Sequence, residues 1–172
     1  MSKFYMACGI SGSGKSTFGN TLKSEIKDLF IVCPDDIRKE LTGDISDQSK
    51  NEEVWQETYR LIREHLRNGE NVYLSATNLN RSGIKFLLKI AKRAKAPVEV
   101  VAFEASRDWN LCYSRVKADI DNNVDRSNTL CDIEIDEEKV PLIKHMSEKY
   151  IELMDSDFFE KKNVKVLRIP AK

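Results

Sequence analysis

The sequence predicts an α/β fold, a parallel sheet of about five strands flanked by helices. Three observations lead there. Short apolar runs alternate with longer amphipathic stretches along 172 residues, the pattern of strands in a parallel sheet covered on both faces. A glycine-rich turn joins the first apolar run to the first amphipathic stretch. The length and the 41% hydrophobic content fit one domain over residues 1–172, large enough to bury roughly 70% of the surface its unfolded chain would expose.

The elements follow in order. Apolar residues 4–8 form the first strand, residues 9–14 a tight loop, and residues 17–26 an amphipathic helix. A second apolar run, 29–33, ends at Pro34-Asp35, and a polar stretch follows. Val54, Tyr59, Leu61, Ile62 and Leu66 then recur at helical spacing until Asn68-Gly69 stops the helix. Residues 72–74 are the third strand. Ile84, Leu87, Leu88 and Ala91 mark a helix whose other face carries Lys85, Lys89, Lys92 and Arg93. Residues 98–103 are the fourth strand and 109–116 a helix; 119–132 is polar, 140–154 a long amphipathic helix, and 164–169 the fifth strand. Ligands of such sheets sit at the carboxyl ends of the strands. Asp35 and Thr77-Asn78 therefore fall beside the glycine-rich loop.

Composition narrows the function. The 28 basic and 28 acidic residues cancel, so no global field draws the protein to nucleic acid or membrane, and a polyanion has to be held by a local patch. No apolar run approaches a membrane-spanning length. Cys8, Cys33, Cys112 and Cys131 have no CxxC spacing and read as reduced thiols of a cytoplasmic protein. A single lysine before a short apolar run makes a poor signal peptide.

The strongest motif is Gly9-Ile10-Ser11-Gly12-Ser13-Gly14-Lys15-Ser16, which matches G-x-x-x-x-G-K-[ST] with Thr17 following. In such a P-loop the backbone N–H groups cradle phosphates, the lysine reaches the β/γ oxygens, and the hydroxyl of the next residue ligates Mg²⁺. The helix that follows turns its positive dipole end to the same place. ATP and Mg²⁺ are the expected ligands, with Ser16 the metal-ligating side chain. On the facing strand end, Asp35 of Cys33-Pro34-Asp35-Asp36-Ile37-Arg38 could accept a hydroxyl proton. Capping of the next helix by Asp35 or Asp36 accounts for the local sequence equally well.

The P-loop, the Asp-Asp-x-Arg element, Thr77-Asn78-Leu79-Asn80 and the later arginines together resemble the kinase domain of phage polynucleotide 5′-hydroxyl kinases, over nearly the whole chain. The resemblance implies a P-loop NTPase-type sheet and Asp35 as general base. It implies Arg38 on an acceptor phosphate, Thr77 and Asn78 beside the acceptor, and a helical lid whose arginines touch the ATP phosphates. Arg115, six residues after Trp109, matches the first lid arginine; Arg126 is the candidate for the second, across a longer spacer, in a lid spanning about 107–135. The acceptor implied is the 5′-hydroxyl end of DNA or RNA, in the cytoplasm, or a host's cytoplasm for a phage-encoded chain. Two features depart from the pattern: Ala76 stands where many relatives have Asp, and no DxDGT phosphatase motif follows. Zeta-toxin-like, gluconate and other small-molecule kinases share a P-loop and a nearby Asp, so a small alcohol is the alternative acceptor.

Other signals are weaker. Val116-Lys117-Ala118-Asp119 partly matches the guanine-reading N-K-x-D element of a GTPase or nucleotide switch, but has Val for Asn and follows a helix. His65 and His145 lack partners at metal-ligand spacing. Lys85, Lys89, Lys92, Arg93 and Lys95 form a basic face that could track a nucleic-acid backbone or simply be solvated. Trp55, Trp109 and Tyr113 could stack on bases, and packing explains them equally well; none is assigned to the site.

Overall fold

The computed structural model describes residues 1–172. In chain order the elements are β1 (Phe4–Cys8), α1 (Lys15–Glu25), β2 (Leu29–Val32), α2 (Pro34–Thr42), α3 (Asn51–Arg67), β3 (Asn71–Leu74), α4 (Arg81–Arg93), β4 (Val98–Phe103), a 3₁₀ turn (Glu104–Arg107), α5 (Trp109–Asp121), β5 (Asp132–Ile135), β6 (Glu138–Pro141), α6 (Leu142–Asp155), α7 (Phe158–Lys161) and β7 (Lys165–Ile169). Five strands pair in the order β2-β3-β1-β4-β7, all parallel. The expected α/β sheet is therefore present, with β1 at its centre and both neighbours hydrogen-bonded to it.

Side chains of successive strand residues point to opposite faces, and the two faces are covered unequally. Tyr73, Val101 and Phe103 lie under α1, whose Phe18 and Leu22, with Ile26 just past its end, pack on them. Gly19 is what lets α1 come so close: a Cβ there would stand 2.7 Å from the Tyr73 ring. The opposite face carries the larger core, in which Phe4, Met6 and Leu74 meet Ile62 of α3, Leu87 of α4, Val116 of α5 and Ile143 of α6. Burying each such side chain is worth about 1.5–3 kcal/mol. α4 shows the cause plainly: Ile84, Leu87, Ile90 and Ala91 are buried on one stripe, and the Asn80 side chain accepts the Gly83 N–H to cap the helix.

Three expectations need correcting. The polar stretch after Pro34 is a helix, α2, opened by Pro34 at its first position and closed by Gly43 at φ 81°; proline fits a first turn and glycine a left-handed end. Val140 belongs to β6 of an antiparallel hairpin, not to the following helix, which starts at Leu142. The stretch 107–135 is only partly helical: α5 extends to Asp121, and the hairpin takes over from Asp132. No helix is long and apolar enough to cross a membrane.

Candidate active site

The glycine-rich loop leaves β1 at its carboxyl end and enters α1 at Lys15. Gly12 (φ 78°) and Gly14 (φ 107°) hold backbone conformations that L side chains rarely adopt. At Gly12 space forbids a side chain as well, since a Cβ would lie 2.6 Å from the Cys112 carbonyl oxygen. Contacts distant in sequence pin the loop. The Gly9 N–H donates to the Thr77 carbonyl (3.0 Å), and the Ile10 N–H to Ser106 Oγ (3.0 Å). Arg115 Nη1 donates to the Gly12 carbonyl (3.1 Å), and Tyr73 OH to the Lys15 carbonyl (2.8 Å).

Inside this frame Lys15 Nζ turns onto the Ile10 carbonyl at 2.7 Å. Burial pushes its pKa down to about 8; the neighbouring Arg126 guanidinium lowers it further, and Asp35 opposes both. Lys15, Arg126 and Asp35 thus lie near enough for each to feel the others' charge. Arg126 is held there by an ion pair with Asp119 of α5, while its Nε is buried without a partner. Ser13 Oγ is likewise buried and unpartnered. Ser11 is half-buried in the loop, and Ser16 and Thr17 are exposed in the first turn of α1.

The second half of the site is built on α2. Pro34 fixes the turn out of β2, so Asp35 and Asp36 fall in the first helical turn, where carboxylates complement the helix dipole. Cys33 occupies the N-cap position and no side chain caps the helix, so capping does not account for Asp35. Arg38 is buried, yet carries a full charge. Its Nη1 donates to Asp35 at 2.6 Å and its Nη2 to Asn51 Oδ1 at 3.1 Å, leaving Nε with no partner. A buried cation needs its remaining donors satisfied, and an anion beside Asp35 would do that.

Thr77 and Asn78 follow β3 and line a cleft of about 710 Å³ between α3, α4 and α6. Asn78 has φ 49°, and its amide nitrogen donates to the Ala7 carbonyl at 2.6 Å. That side chain therefore holds the strand end in place as well as facing the cleft. The Asn78 carbonyl accepts the Cys8 thiol at 3.5 Å, and burial pushes that thiol up to about 12.

The donors present fit a nucleotide and its metal. The loop offers an ammonium with only a backbone acceptor and an unpartnered hydroxyl at Ser13. No cluster of three His, Cys, Asp or Glu side chains is present. A Mg²⁺ ion would be held by Ser16 with phosphate and water oxygens, the coordination this ion favours.

The structure thus gathers Gly9–Thr17, Asp35, Arg38, Thr77, Asn78 and Arg126 at the carboxyl ends of the strands. Arg115 stands apart in kind, since it grips the loop backbone and the Lys172 carbonyl (2.7 Å). Sequence reasoning missed Tyr73, Ser106, Asn51 and Asp119. Each acts on a residue many positions away, and no local pattern marks such a partner.

Comparison with known proteins agrees with this architecture. A chain of the Pnkp1/Rnl/Hen1 RNA repair complex superposes with a TM-score of 0.69 at 20% identity, over 91% of this chain and 46% of that one. This chain thus spans less than half of the chains matched in such complexes. A chain of the PezAT chromosomal toxin-antitoxin system of Streptococcus pneumoniae gives 0.65 at 12% identity, over 100% and 70%. A gluconokinase from Sinorhizobium meliloti 1021 gives 0.51 at 16%, over 99% and 84%. At these identities the likeness is one of fold, shared with P-loop kinases, and the loop implies nucleotide binding. No curated protein sequence matches the chain. The sequence pattern of one family covers residues 5–129, from the first residues of β1 past Arg126, and on that match the chain belongs to the AAA domain family AAA_33.

Proposed function

We propose that this chain is an ATP-dependent kinase that transfers the γ-phosphoryl group to the 5′-hydroxyl end of a polynucleotide. The observation that carries the acceptor is Arg38: a buried guanidinium with a free Nε, bonded to the carboxylate that would act as base. An acceptor bearing a phosphate next to its reacting hydroxyl uses that donor. A neutral sugar alcohol leaves it orphaned. The presence of a structurally similar chain in an RNA repair complex supports the same choice.

In this reading Gly9, Ser11, Gly12, Ser13, Gly14, Lys15, Ser16 and Thr17 hold the nucleotide, and Ser16 holds Mg²⁺. When bound, the metal neutralises charge shared by the β- and γ-phosphates. Asp35 orients the acceptor hydroxyl and takes its proton, while Arg38 anchors the adjoining phosphate through its planar fork. Thr77 and Asn78 border the acceptor. Lys15 and Arg126 offset negative charge on the transferred group, and Arg115 keeps the loop in register. Residues 1–172 act as one domain, with 107–135 as the lid that delivers Arg126.

The deciding assay offers γ-labelled ATP with 5′-hydroxyl oligonucleotides of DNA and RNA, beside sugars, nucleosides and antibiotics. Label on the oligonucleotides is expected. Label confined to a small alcohol, or GTP hydrolysis without any acceptor, would overturn the reading.

A further inference from the structure

The 710 Å³ cleft extends well beyond Thr77 and Asn78, and nothing above uses its far wall. That wall is α3. From it Trp55 and Tyr59 line the cleft. Asn51, Trp55, Tyr59 and Arg63 recur at four-residue intervals, each about 6 Å further along the helix and about 40° further round it, so the row winds from the Arg38 side through the cleft and out toward Phe86 of α4. The row begins at the residue that holds Arg38.

The side chains in this row are arranged as a ramp of aromatic faces and cations. Trp55 and Tyr59 are tilted neighbours, 5.7 Å between ring centres. Tyr59 meets Phe86 of α4 edge to face at 4.7 Å, and the Arg63 guanidinium lies 5.7 Å over the Phe86 ring. Phe86 is 40% exposed. Its neighbour Lys85 and, one turn on, Lys89 are exposed as well. The two tryptophans differ: Trp109 and Tyr113 pack against the main core, whereas Trp55 is half-exposed in the cleft wall. The acidic group on the opposite wall, Glu152, is offset by Arg81 at 3.6 Å. A volume of this size suits a ligand larger than one small alcohol.

We infer that the cleft receives a single-stranded polynucleotide beyond its 5′ end, with Trp55 and Tyr59 stacking on successive bases and Arg63 with the α4 lysines holding the phosphates that follow. This rests on the polynucleotide reading of the acceptor and extends it to the length of strand recognised. The chemistry fits. Every base presents a π-face, so aromatic stacking grips a strand without reading its sequence, and cations interleaved with the rings track the backbone. The basic face of α4, taken alone, is an ordinary solvated surface; the cleft and the aromatic row give it a direction.

The experiment compares a nucleoside 3′-monophosphate with 5′-hydroxyl dT8 and rU8 as acceptors, for wild type, Trp55→Ala, Trp55→Phe and Arg63→Gln. Stacking contributes roughly 5- to 160-fold per base. Trp55→Ala should therefore raise KM for both octamers by that order while leaving kcat, the KM for ATP and the monophosphate reaction unchanged. Trp55→Phe should keep most of the octamer affinity. Arg63→Gln should flatten the salt dependence of octamer KM by about one unit of slope. A readout independent of turnover is quenching of tryptophan fluorescence by either octamer, present in wild type and lost in Trp55→Phe, which retains only Trp109. An equal Trp55→Ala loss for monophosphate and octamer, or no loss for either, refutes the stacking row while transfer to 5′ ends stands. Octamer binding and quenching without transfer refutes the kinase reading and leaves the row standing. Absence of both binding and transfer refutes both.

Discussion

Lys15 offers the sharpest quantitative test. Its ammonium has one backbone acceptor at 2.7 Å in the empty loop, and burial with Arg126 nearby sets its pKa at about 8 rather than 10.5. A bound triphosphate supplies several oxygens to the same ammonium and returns the proton affinity to its ordinary range or above. Below pH 8 the lysine is already charged and binding moves no proton. Above it, binding has to take one up, so the apparent Kd rises about tenfold per pH unit. Between pH 7 and pH 9 the expected loss of affinity is about tenfold. With Mg²⁺ bound, the last ionisation of the phosphate chain falls below that window, so the chain itself adds little. Titration calorimetry with ATP at constant ionic strength, in two buffers of different ionisation enthalpy, measures Kd and proton uptake together. Lys15→Met, which does not titrate, should bind more weakly at pH 7 and show neither slope nor uptake. A wild-type Kd that stays flat from pH 7 to pH 9, or a Met variant with the wild-type slope, refutes the assignment. The same shift has an opposite sign for folding. Between about 8 and 10.5 the unfolded chain holds the Lys15 proton and the folded one does not, so the empty protein gains stability as pH rises through that window. Thermal melts should show Lys15→Met melting above wild type at pH 7, with the difference closing as pH rises through that window.

Three further outcomes follow from the site. Asp35→Asn keeps an acceptor for Arg38 but cannot take a proton, so turnover should fall at least about a hundredfold with near-normal ATP and acceptor binding, while Asp36→Asn stays active; steady-state kinetics with equilibrium binding checks it, and the reverse pattern moves the base to Asp36. Arg126→Gln removes a cation beside Lys15, so turnover should drop by roughly 10³ or more and the pH midpoint of ATP binding should rise; a tenfold or smaller loss of rate makes Arg126 a surface charge. Gly12→Ala forces a Cβ to 2.6 Å from the Cys112 carbonyl at a φ of 78°, and calorimetry should find ATP binding lost while circular dichroism shows the fold retained.

The parts of this molecule legible in its sequence are those where neighbours in the chain are also neighbours in space. The loop from Gly9 to Thr17 is one; its glycines, lysine and hydroxyls act within one turn of backbone. Asp35 and Arg38, three apart on α2, are another. The β5–β6 hairpin was hidden for a definite reason. Its turn residues, Asp136 and Glu137, both have positive φ (51° and 67°), the geometry that Asn-Gly or Asp-Gly normally announces. Glutamate carries no such signal, so Val140 read as the start of a helix. α2 was obscured by its polarity, though Pro34 and Gly43 stood at its two ends.

The division between donor and acceptor follows from the same physics. Phosphates at such a loop are held mainly by backbone N–H groups and a single lysine, so the donor half needs little beyond the loop's conformation. The acceptor half is written in side chains on α2, α3 and α4, where Arg38 is fixed by Asn51 thirteen residues away and the cleft wall is set by which residue follows Asn51 one turn later. A change of Trp55 costs the sheet little, because its side chain neither belongs to the buried core nor packs against it. Acceptor choice can therefore shift on this frame without disturbing the fold or the nucleotide loop. Arg38, bonded to Asp35 and held by Asn51, is therefore where this frame would distinguish a phosphate-bearing acceptor from a neutral alcohol.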